Sequence, residues 1–184
     1  PEIYHDTIRA FNLAEQFRIP VILMLEASNA HLEERVEIPP EVEVFDRIYI
    51  PGKPPFGPTE DGSVPSMPRF GDGEFLKVTG LTHNEWGVPC ATIPEVHERM
   101  VHHQRMKIAS KIDELTEVDE YLLEDAEIMI VAYGHTARSA RWAVKQAREK
   151  GIKVGMLNLR TLYPFPEEKV RKWSQATRCV LIPE

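Results

Sequence analysis

Two turns in this sequence place polar side chains where they could do chemistry. In the first, His83 and Glu85 lie two residues apart within Leu81-Thr82-His83-Asn84-Glu85-Trp86-Gly87. An imidazole and a carboxylate at this spacing can transfer protons only if both point into one cleft. The alternative is a hydrogen-bonded turn without chemistry of its own, and the sequence by itself favours that alternative.

The second turn, Tyr133-Gly134-His135-Thr136, joins an apolar run to a helix-forming stretch. The N-terminus of a helix presents free N–H groups and the positive end of the helix dipole, and both favour an anion. Gly134, His135 and Thr136 are therefore candidate contacts for an anionic group. Gly134 stands alone where a dinucleotide-binding turn needs three glycines, and the sequence contains neither a phosphate-binding P-loop nor a nucleophile elbow.

The histidines and cysteines do not predict a metal site. His97 and His102 are five residues apart, whereas two imidazoles share one face of a helix at a spacing of four. His102 and His103 are adjacent, so their side chains diverge on a helix. Cys90 and Cys179 are too few and too distant in sequence for a thiolate metal site or a disulfide framework.

The second turn belongs to a predicted β-α-β unit. Residues 128–132 form an apolar run without alternation, which is typical of a strand buried on both faces of a sheet. Thr136 is the predicted cap of the helix that follows. A second strand over residues 153–159, a helix after Pro166 and a third strand over residues 179–182 complete half of a doubly wound parallel sheet. In the first helix the predicted buried face is Ala137, Ala140, Val144 and Ala147, and the predicted outward face is Arg138, Arg141, Lys145 and Arg148.

The first part of the chain also suggests an α/β domain. Residues 4–17 have the apolar periodicity of a helix, and residues 21–25 form a continuous apolar run that predicts a buried strand. Two more strands are predicted over residues 42–50 and 75–80.

A capping box, Thr92-Ile93-Pro94-Glu95, predicts the start of a further helix. The helix is expected to continue to about Leu115, and its predicted buried stripe is Val101, Ile108, Ile112 and Leu115. An acidic connection over residues 117–125 then leads to the next strand.

Prolines crowd residues 51–68 and exclude long regular elements from that stretch. Two interpretations remain open. The stretch could be an inter-domain linker, as most long loops without regular structure are. It could instead be laid over a partner subunit, with Phe56, Met67 and Phe70 as its apolar contacts.

Composition limits the partners of the chain. A formal net charge of −7 over 184 residues argues against nucleic acid, because phosphate binding needs clustered lysines and arginines that carboxylates do not offset. No apolar run is long enough to span a membrane. Two cysteines fit a reducing compartment, and we expect the cytoplasm. Because it opens at Pro1 within a helical pattern and closes on a strand, the chain is interpreted as an excerpt from a longer polypeptide.

Three segments in order carry a resemblance to a known family. Residues 7–23, which include Ala10-Phe11-Asn12-Leu13-Ala14-Glu15, resemble the end of the thiamine-pyrimidine domain in the alpha subunit of 2-oxoacid:ferredoxin oxidoreductases. Residues 78–87 resemble the Thr-Gly, His and Glu-x-Gly turn of that family. The stretch from Ala132-Tyr133-Gly134-His135-Thr136 through Tyr163-Pro164-Phe165-Pro166 is similar to the transketolase C-terminal-like domain that follows.

The resemblance implies an α/β fold in four parts. These are the end of a pyrimidine-binding domain (1–31), a proline-rich connection with short strands (32–92), a linking helix with an acidic connection (93–126), and an incomplete transketolase C-terminal-like domain with a parallel sheet flanked by helices (127–184).

The resemblance also implies a function for the intact enzyme. Such an enzyme decarboxylates a 2-oxoacid, with 2-oxoglutarate the preferred guess, on thiamine diphosphate with Mg²⁺. It then delivers the acyl group to coenzyme A and reduces ferredoxin through iron–sulfur clusters held by partner subunits.

Site residues follow from the resemblance only in part. The family's pyrimidine-activating carboxylate and its Tyr-Pro-Ile-Thr-Pro loop are absent from these residues, so no catalytic residue is assigned. Asp72, His83 and Glu85 are the candidates for the 2-oxoacid pocket. His135 stands where the family commonly has Ser.

Two alternatives to this function stay open. The chain could be a non-catalytic assembly domain that holds subunits together. It could also come from the beta chain of a 2-oxoacid dehydrogenase or from a transketolase-type enzyme, which share the terminal domain.

Overall fold

The structure, a computed structural model, describes residues 2–57 and 63–183. Its Cα packing forms two compact units, which we call the first unit (Pro1–Leu23 and Glu34–Lys111) and the second unit (Met24–Glu33 and Ile112–Glu184). Part of the proline-rich stretch, residues 58–62, lies outside the described residues. Within the described ranges, no helix has the length and apolar character needed to cross a membrane. The domain boundaries expected from the sequence stay a prediction.

The first four elements of the described chain are helices, and its strands lie in the C-terminal part, where helices separate the last three of them. The elements are α1 (Glu2–Phe17), α2 (Ala27–Ala30), α3 (Pro94–Ala109), α4 (Ile112–Leu115), β1 (Val118–Tyr121), β2 (Ile128–Ala132), α5 (Gly134–Glu149), β3 (Val154–Leu159), α6 (Glu167–Ala176) and β4 (Cys179–Leu181).

The second unit contains a four-stranded sheet with the order β1-β3-β2-β4. Strand β2 pairs in parallel with β3 on one side and with β4 on the other. Helix α5 joins β2 to β3, and α6 joins β3 to β4 across the sheet. The predicted β-α-β-α-β arrangement is therefore confirmed.

Both faces of this sheet are apolar, which explains why its central strands lack alternation. Met129 and Val131 of β2 pack in one cluster with Leu157 and with Trp173 of α6. The intervening Ile128 and Ile130 belong to a second cluster, which includes Met156 of β3 and the predicted apolar stripe of α5. Helices therefore cover the sheet on both sides, as in doubly wound folds.

Strand β1 corrects the prediction of an acidic connection over residues 117–125. Its residues pair antiparallel with β3 at the edge of the sheet, so the sheet is mixed rather than wholly parallel. Asp119 accepts a hydrogen bond from Asn158 Nδ2 at 2.9 Å, and Glu117 pairs with Arg160 at 2.9 Å. Charged side chains are tolerated here because an edge strand faces solvent, and that composition resembles a loop.

Two predictions about α5 are also wrong. The helix begins at Gly134 with Tyr133 as N-cap, so Thr136 does not cap it. Arg148 does not point away from the sheet, because its guanidinium donates to the carbonyl oxygens of Val154 and Leu122, each at 2.7 Å.

The first unit consists of α1, α3 and the long segment between them. Hydrogen bonds and an ion pair from side chains of α1 hold this segment in place. Asn12 donates to the carbonyl oxygen of Glu43 at 2.8 Å and accepts from the N–H of Phe45 at 2.9 Å. Glu15 forms a bidentate ion pair with Arg47, with contacts of 2.6 and 2.7 Å. Most of the predicted connection is thus packed within the same unit as α1 rather than being a free linker.

The strands predicted over residues 21–25, 42–50 and 75–80 are not formed. A strand needs a ladder partner for its N–H and C=O groups, and the described residues provide none for these segments. Ile22 and Met24 are accordingly 83% and 77% exposed. Apolar composition alone therefore overestimated the amount of sheet.

Helix α3 differs from its prediction at both ends. Its N-cap is Ile93 and no side chain caps it, so the predicted capping box does not form. The helix ends at Ala109, and a turn separates it from α4. Its buried residues are His103 and Lys107 rather than Val101 and Ile108. Of the two predicted buried residues that lie on α4, Leu115 is buried and Ile112 is exposed.

Gly155 in β3 offers a test of the packing in the second unit. A Cβ atom at this position would lie 2.8 Å from the carbonyl carbon of Leu122, a backbone atom that cannot rotate away. We expect Gly155→Ala to lower the free energy of unfolding of the full-length protein by about 1–3 kcal/mol. The control is Gly80→Ala, because nothing lies within 4 Å of that position. Urea unfolding followed by circular dichroism measures both variants, and equal midpoints would contradict the packing described.

Candidate functional site

A cleft of about 210 Å³ in the first unit is the candidate functional site. This volume is below the range of about 300–1,000 Å³ that is typical for larger organic ligands, so the cleft suits a small molecule or part of one. It is lined by Arg18, Pro55, Phe56, Pro65, His83, Asn84, Glu85, Val96, Arg99, Met100, His103, Gln104 and Lys107.

Hydrogen bonds fix the turn that carries His83 and Glu85. The Asn84 side-chain oxygen accepts the N–H groups of Trp86 and Val88, both at 3.0 Å. Gly87 has a φ of +75°, and a Cβ there would overlap the backbone of Lys77. This positive φ explains why the turn ends on glycine. His83 and Glu85 are thus held by a rigid turn and also line the cleft, so the two interpretations of this turn are compatible.

The ring of His83 is oriented by two contacts. Its centroid lies 4.6 Å from that of Phe56 in an edge-to-face arrangement. Its Nδ1 lies 2.9 Å from the carbonyl oxygen of Asn84. A carbonyl only accepts, so Nδ1 carries the proton of this bond, which leaves Nε2 of the neutral ring as a proton acceptor.

Arg18 closes the end of α1 and fixes the proline-rich segment against it. Its backbone has a positive φ of 48°. Nη1 donates to the carbonyl oxygens of Pro55 at 2.6 Å and Pro65 at 3.0 Å, and the guanidinium carbon lies 5.6 Å from the ring centroid of Phe56. Burial lowers the pKa of Arg18 to about 10.

Lys107 of α3 is only 8% exposed, which is rare for a lysine. Its Nζ donates to the main-chain oxygen of Arg18 at 3.0 Å. Burial, and then the charge of Arg18, lower the pKa of Lys107 to about 8. His103, one turn earlier on the same helix, is 7% exposed.

Four residues of the cleft are not predicted from the sequence: Arg18, Arg99, His103 and Lys107. A signal for part of this set was present, because Val96, Met100, His103 and Lys107 are spaced by four, three and four residues. This is the spacing of one buried helix face. A search for apolar residues alone misses such a face when polar side chains occupy half of it.

Asp72 is not brought to the cleft with His83 and Glu85. Its carboxylate accepts the N–H of Arg69 at 2.7 Å and so closes a turn of its own. Arg69 in turn pairs with Asp46 at 2.7 Å.

The turn at Gly134, His135 and Thr136 already faces a negative group of this chain. The N–H of His135 donates to Glu26 Oε2 at 3.1 Å. A Cβ on Gly134 would lie 3.3 Å from the carboxyl carbon of Glu26, so glycine makes room for this contact. The anion at this helix N-terminus is therefore a side chain of the second unit itself.

No metal-binding cluster was found in the part of the chain that the structure describes. Its His, Cys, Asp and Glu side chains form no group of three that could hold an ion. Cys90 belongs to the first unit and Cys179 to the second, and both are free thiols.

The pH dependence of stability tests the burial of Lys107. The folded-state pKa, about 8, lies below the ordinary value of 10.5. Burial of the charged amine therefore costs stability below pH 8, and this cost is relieved as the pH rises from 8 to 10.5. We expect the free energy of unfolding of the full-length wild type to rise by about 1–3 kcal/mol relative to that of Lys107→Met between pH 8 and pH 10.5, because only the wild type buries a titrating amine.

Lys107→Met also removes the hydrogen bond to Arg18, so the change of the stability difference with pH, and not its size at pH 7, reports the buried charge. Chemical unfolding at a series of pH values measures this difference. Arg105→Met is the control, because Arg105 lies on the exposed side of the same helix and does not line the cleft. A constant difference between wild type and Lys107→Met across this range would contradict the buried charge.

Two family models match this chain and together cover most of it. The model for the pyruvate flavodoxin/ferredoxin oxidoreductase, thiamine diphosphate-binding domain, matches residues 1–103. The model for pyruvate:ferredoxin oxidoreductase core domain II matches residues 126–184.

Individual relatives agree with these models. The 2-oxoglutarate synthase subunit KorA of Methanothermobacter thermautotrophicus is 43% identical over the whole chain, which covers 50% of that protein. The ketoisovalerate oxidoreductase subunit VorB of Methanothermobacter marburgensis is 31% identical over 92% of the chain, which corresponds to 42% of that protein. The chain thus spans about half the length of the curated relatives it matches.

A solved structure supports the same assignment. The 2-oxoglutarate:ferredoxin oxidoreductase from Magnetococcus marinus, solved with 2-oxoglutarate, coenzyme A and succinyl-CoA bound, superposes with a TM-score of 0.80 at 26% identity. The match covers 94% of this chain and 31% of that chain. The family resemblance and the α/β fold predicted from the sequence are confirmed, and the chain belongs to the pyruvate flavodoxin/ferredoxin oxidoreductase family.

Proposed function

We propose that the full-length protein is the alpha subunit of a 2-oxoacid:ferredoxin oxidoreductase whose preferred substrate is 2-oxoglutarate. The enzyme oxidatively decarboxylates the 2-oxoacid, forms the acyl-CoA and reduces ferredoxin. The observation that carries this proposal is the 43% identity, over the whole chain, to a 2-oxoglutarate synthase subunit. The lower identity, 31%, to a ketoisovalerate oxidoreductase subunit favours 2-oxoglutarate over branched-chain 2-oxoacids.

Thiamine diphosphate with Mg²⁺ is the proposed cofactor, with coenzyme A as co-substrate. Thiamine supplies the electron sink for decarboxylation, which no amino-acid side chain provides. The match to a thiamine diphosphate-binding domain supports this cofactor. The described residues offer no carboxylate cluster for Mg²⁺. We therefore assign the Mg²⁺ ligands to other parts of the enzyme and derive no step through the metal.

Iron–sulfur clusters are proposed to belong to partner subunits. A cluster needs about four cysteine thiolates, and this chain has two cysteines, one in each unit. Relatives are named as subunits, which supports an assembly of several chains. We propose ferredoxin as the electron acceptor and the cytoplasm as the compartment.

Within this enzyme, the cleft of the first unit is the proposed 2-oxoacid pocket of this chain. His83 presents Nε2 as a proton acceptor, and the turn around Asn84 keeps its ring in one orientation. Glu85 adds a carboxylate that can exchange a proton with bound substrate or water. Asp72 is not included, since its carboxylate is engaged in its own turn.

The activity is tested on the full-length protein purified with its natural partners. We expect coenzyme A-dependent reduction of a viologen dye with 2-oxoglutarate, and a kcat/KM for 2-oxoglutarate at least about tenfold above that for pyruvate or 2-oxoisovalerate. Absence of reduction with every 2-oxoacid, in a preparation that retains thiamine diphosphate and clusters, would reject the proposal.

His83→Gln tests the proposed pocket. Glutamine keeps hydrogen-bonding capacity but cannot exchange a proton near neutral pH, so we expect kcat/KM for 2-oxoglutarate to fall by about 10²-fold. His102→Gln is the matched control, because His102 is exposed on α3 and does not line the cleft. Equal kinetics of the two variants would remove His83 from the pocket while leaving the proposed activity intact.

A further inference from the structure

We propose that the cleft of the first unit is an oxyanion-binding site, in which Arg18, Arg99 and Lys107 supply the positive charge. The ligand group is a carboxylate or a phosphate. This inference deepens the proposed function, but it concerns binding alone and can be measured without turnover.

Positive charge is in excess in the cleft. Three cations line the cleft against one carboxylate, Glu85. Within residues 2–57 and 63–183, neither Lys107 nor Arg18 forms an ion pair. The charge of Glu15 also acts on Arg18, but both carboxylate oxygens of Glu15 are already held by Arg47. A buried cation without a counter-ion is costly, and such costs concentrate at binding sites.

Arg18 and Lys107 have hydrogen-bond donors that no described residue uses. Arg18 uses Nη1 for two carbonyl oxygens, and no hydrogen bond from its Nε or Nη2 reaches another described residue. Lys107 uses one of its three N–H groups, for the main-chain oxygen of Arg18. These remaining donors can serve a planar carboxylate or a tetrahedral phosphate, which accept several charge-assisted hydrogen bonds.

The guanidinium of Arg18 is held rigidly. The two bonds from Arg18 Nη1 to Pro55 and Pro65 hold the guanidinium in place before any ligand arrives. Phe56 lies beneath it and also contacts the ring of His83. A charged group that is fixed by the protein loses little conformational entropy when an anion binds, which favours affinity.

Protonation of Lys107 links this site to pH. Burial and the charge of Arg18 both lower the pKa of Lys107, to about 8. Arg18 faces it from the end of α1, and His83 and Glu85 come from the turn. Its own helix contributes Arg99 and His103. A bound oxyanion would offset the repulsion between Lys107 and Arg18, so anion binding favours the protonated amine.

Binding is tested on the full-length protein with its natural partners. Calorimetry at pH 7 and constant ionic strength uses 2-oxoglutarate and inorganic phosphate as separate probes. We expect Lys107→Met to weaken the binding of at least one probe by about tenfold or more, since a charged hydrogen bond is lost. Arg105→Met removes the same charge from the exposed side of α3 and should change affinity less than about twofold.

The two probes distinguish the sources of the anion. Selective loss of 2-oxoglutarate binding assigns the site to the substrate carboxylate. Selective loss of phosphate binding, with phosphate displaced by coenzyme A, assigns it to a phosphate of that co-substrate. Either result supports an oxyanion site. If neither probe distinguishes Lys107→Met from Arg105→Met, the inference is overturned, whereas viologen reduction by the wild type would still uphold the proposed function.

A second variant separates charge from folding. With the probe that binds, the wild-type affinity should fall about tenfold from pH 7 to pH 9 as Lys107 loses its proton. Lys107→Arg keeps its charge over this range and should retain binding at pH 9. If inorganic phosphate is that probe, its own protonation also changes over this range. Comparison of the wild type with Lys107→Arg at each pH corrects for this change, because both proteins then meet the same phosphate species. Identical pH profiles for wild type and Lys107→Arg would also overturn the inference.

Discussion

The hydrogen bond from Lys107 Nζ to the main-chain oxygen of Arg18 joins parts of the first unit that are 89 residues apart in sequence. Arg18 in turn binds the carbonyl oxygens of Pro55 and Pro65, so a single pair of cations connects α1, α3 and the proline-rich segment. No β-ladder of several residues is formed among the described residues of this unit. Side-chain hydrogen bonds therefore connect the segments of this unit, whereas main-chain hydrogen bonds between strands connect those of the second unit. The same two cations also line the cleft.

The second unit is held by different forces. Its sheet buries apolar side chains on both faces, and Met129, Met156 and Leu157 are almost completely inaccessible to water. Burial of that surface favours folding without any precise polar contact. Arg148 adds three hydrogen bonds at the edge of this core, to Asp125, Leu122 and Val154.

These two modes of stabilisation explain what the sequence could predict. Residues 128–132 were recognised as a buried strand because hydrophobicity is visible locally, and the order of β2, α5, β3, α6 and β4 followed from it. Strand β1 was missed because its edge position permits Asp119 and Glu120. Of the three candidates that the resemblance supplied for the pocket, His83 and Glu85 line the cleft and Asp72 does not. The cations of the cleft are not predicted, because the role of Arg18 and Lys107 depends on the hydrogen bond between them. The two residues are 89 positions apart, so no local sequence pattern indicates this contact.

The two anion sites suggested by sequence and structure differ in one respect that decides between them. At the N-terminus of α5 the exposed N–H of His135 already meets the carboxylate of Glu26, so the positive end of the helix is satisfied by its own unit. A second anion there would have to displace that carboxylate and expose it to repulsion. In the cleft, Lys107 lacks a carboxylate partner among the described residues, and burial and the charge of Arg18 lower its pKa. An anion entering the cleft would remove an existing electrostatic cost, whereas one at α5 would create a new one.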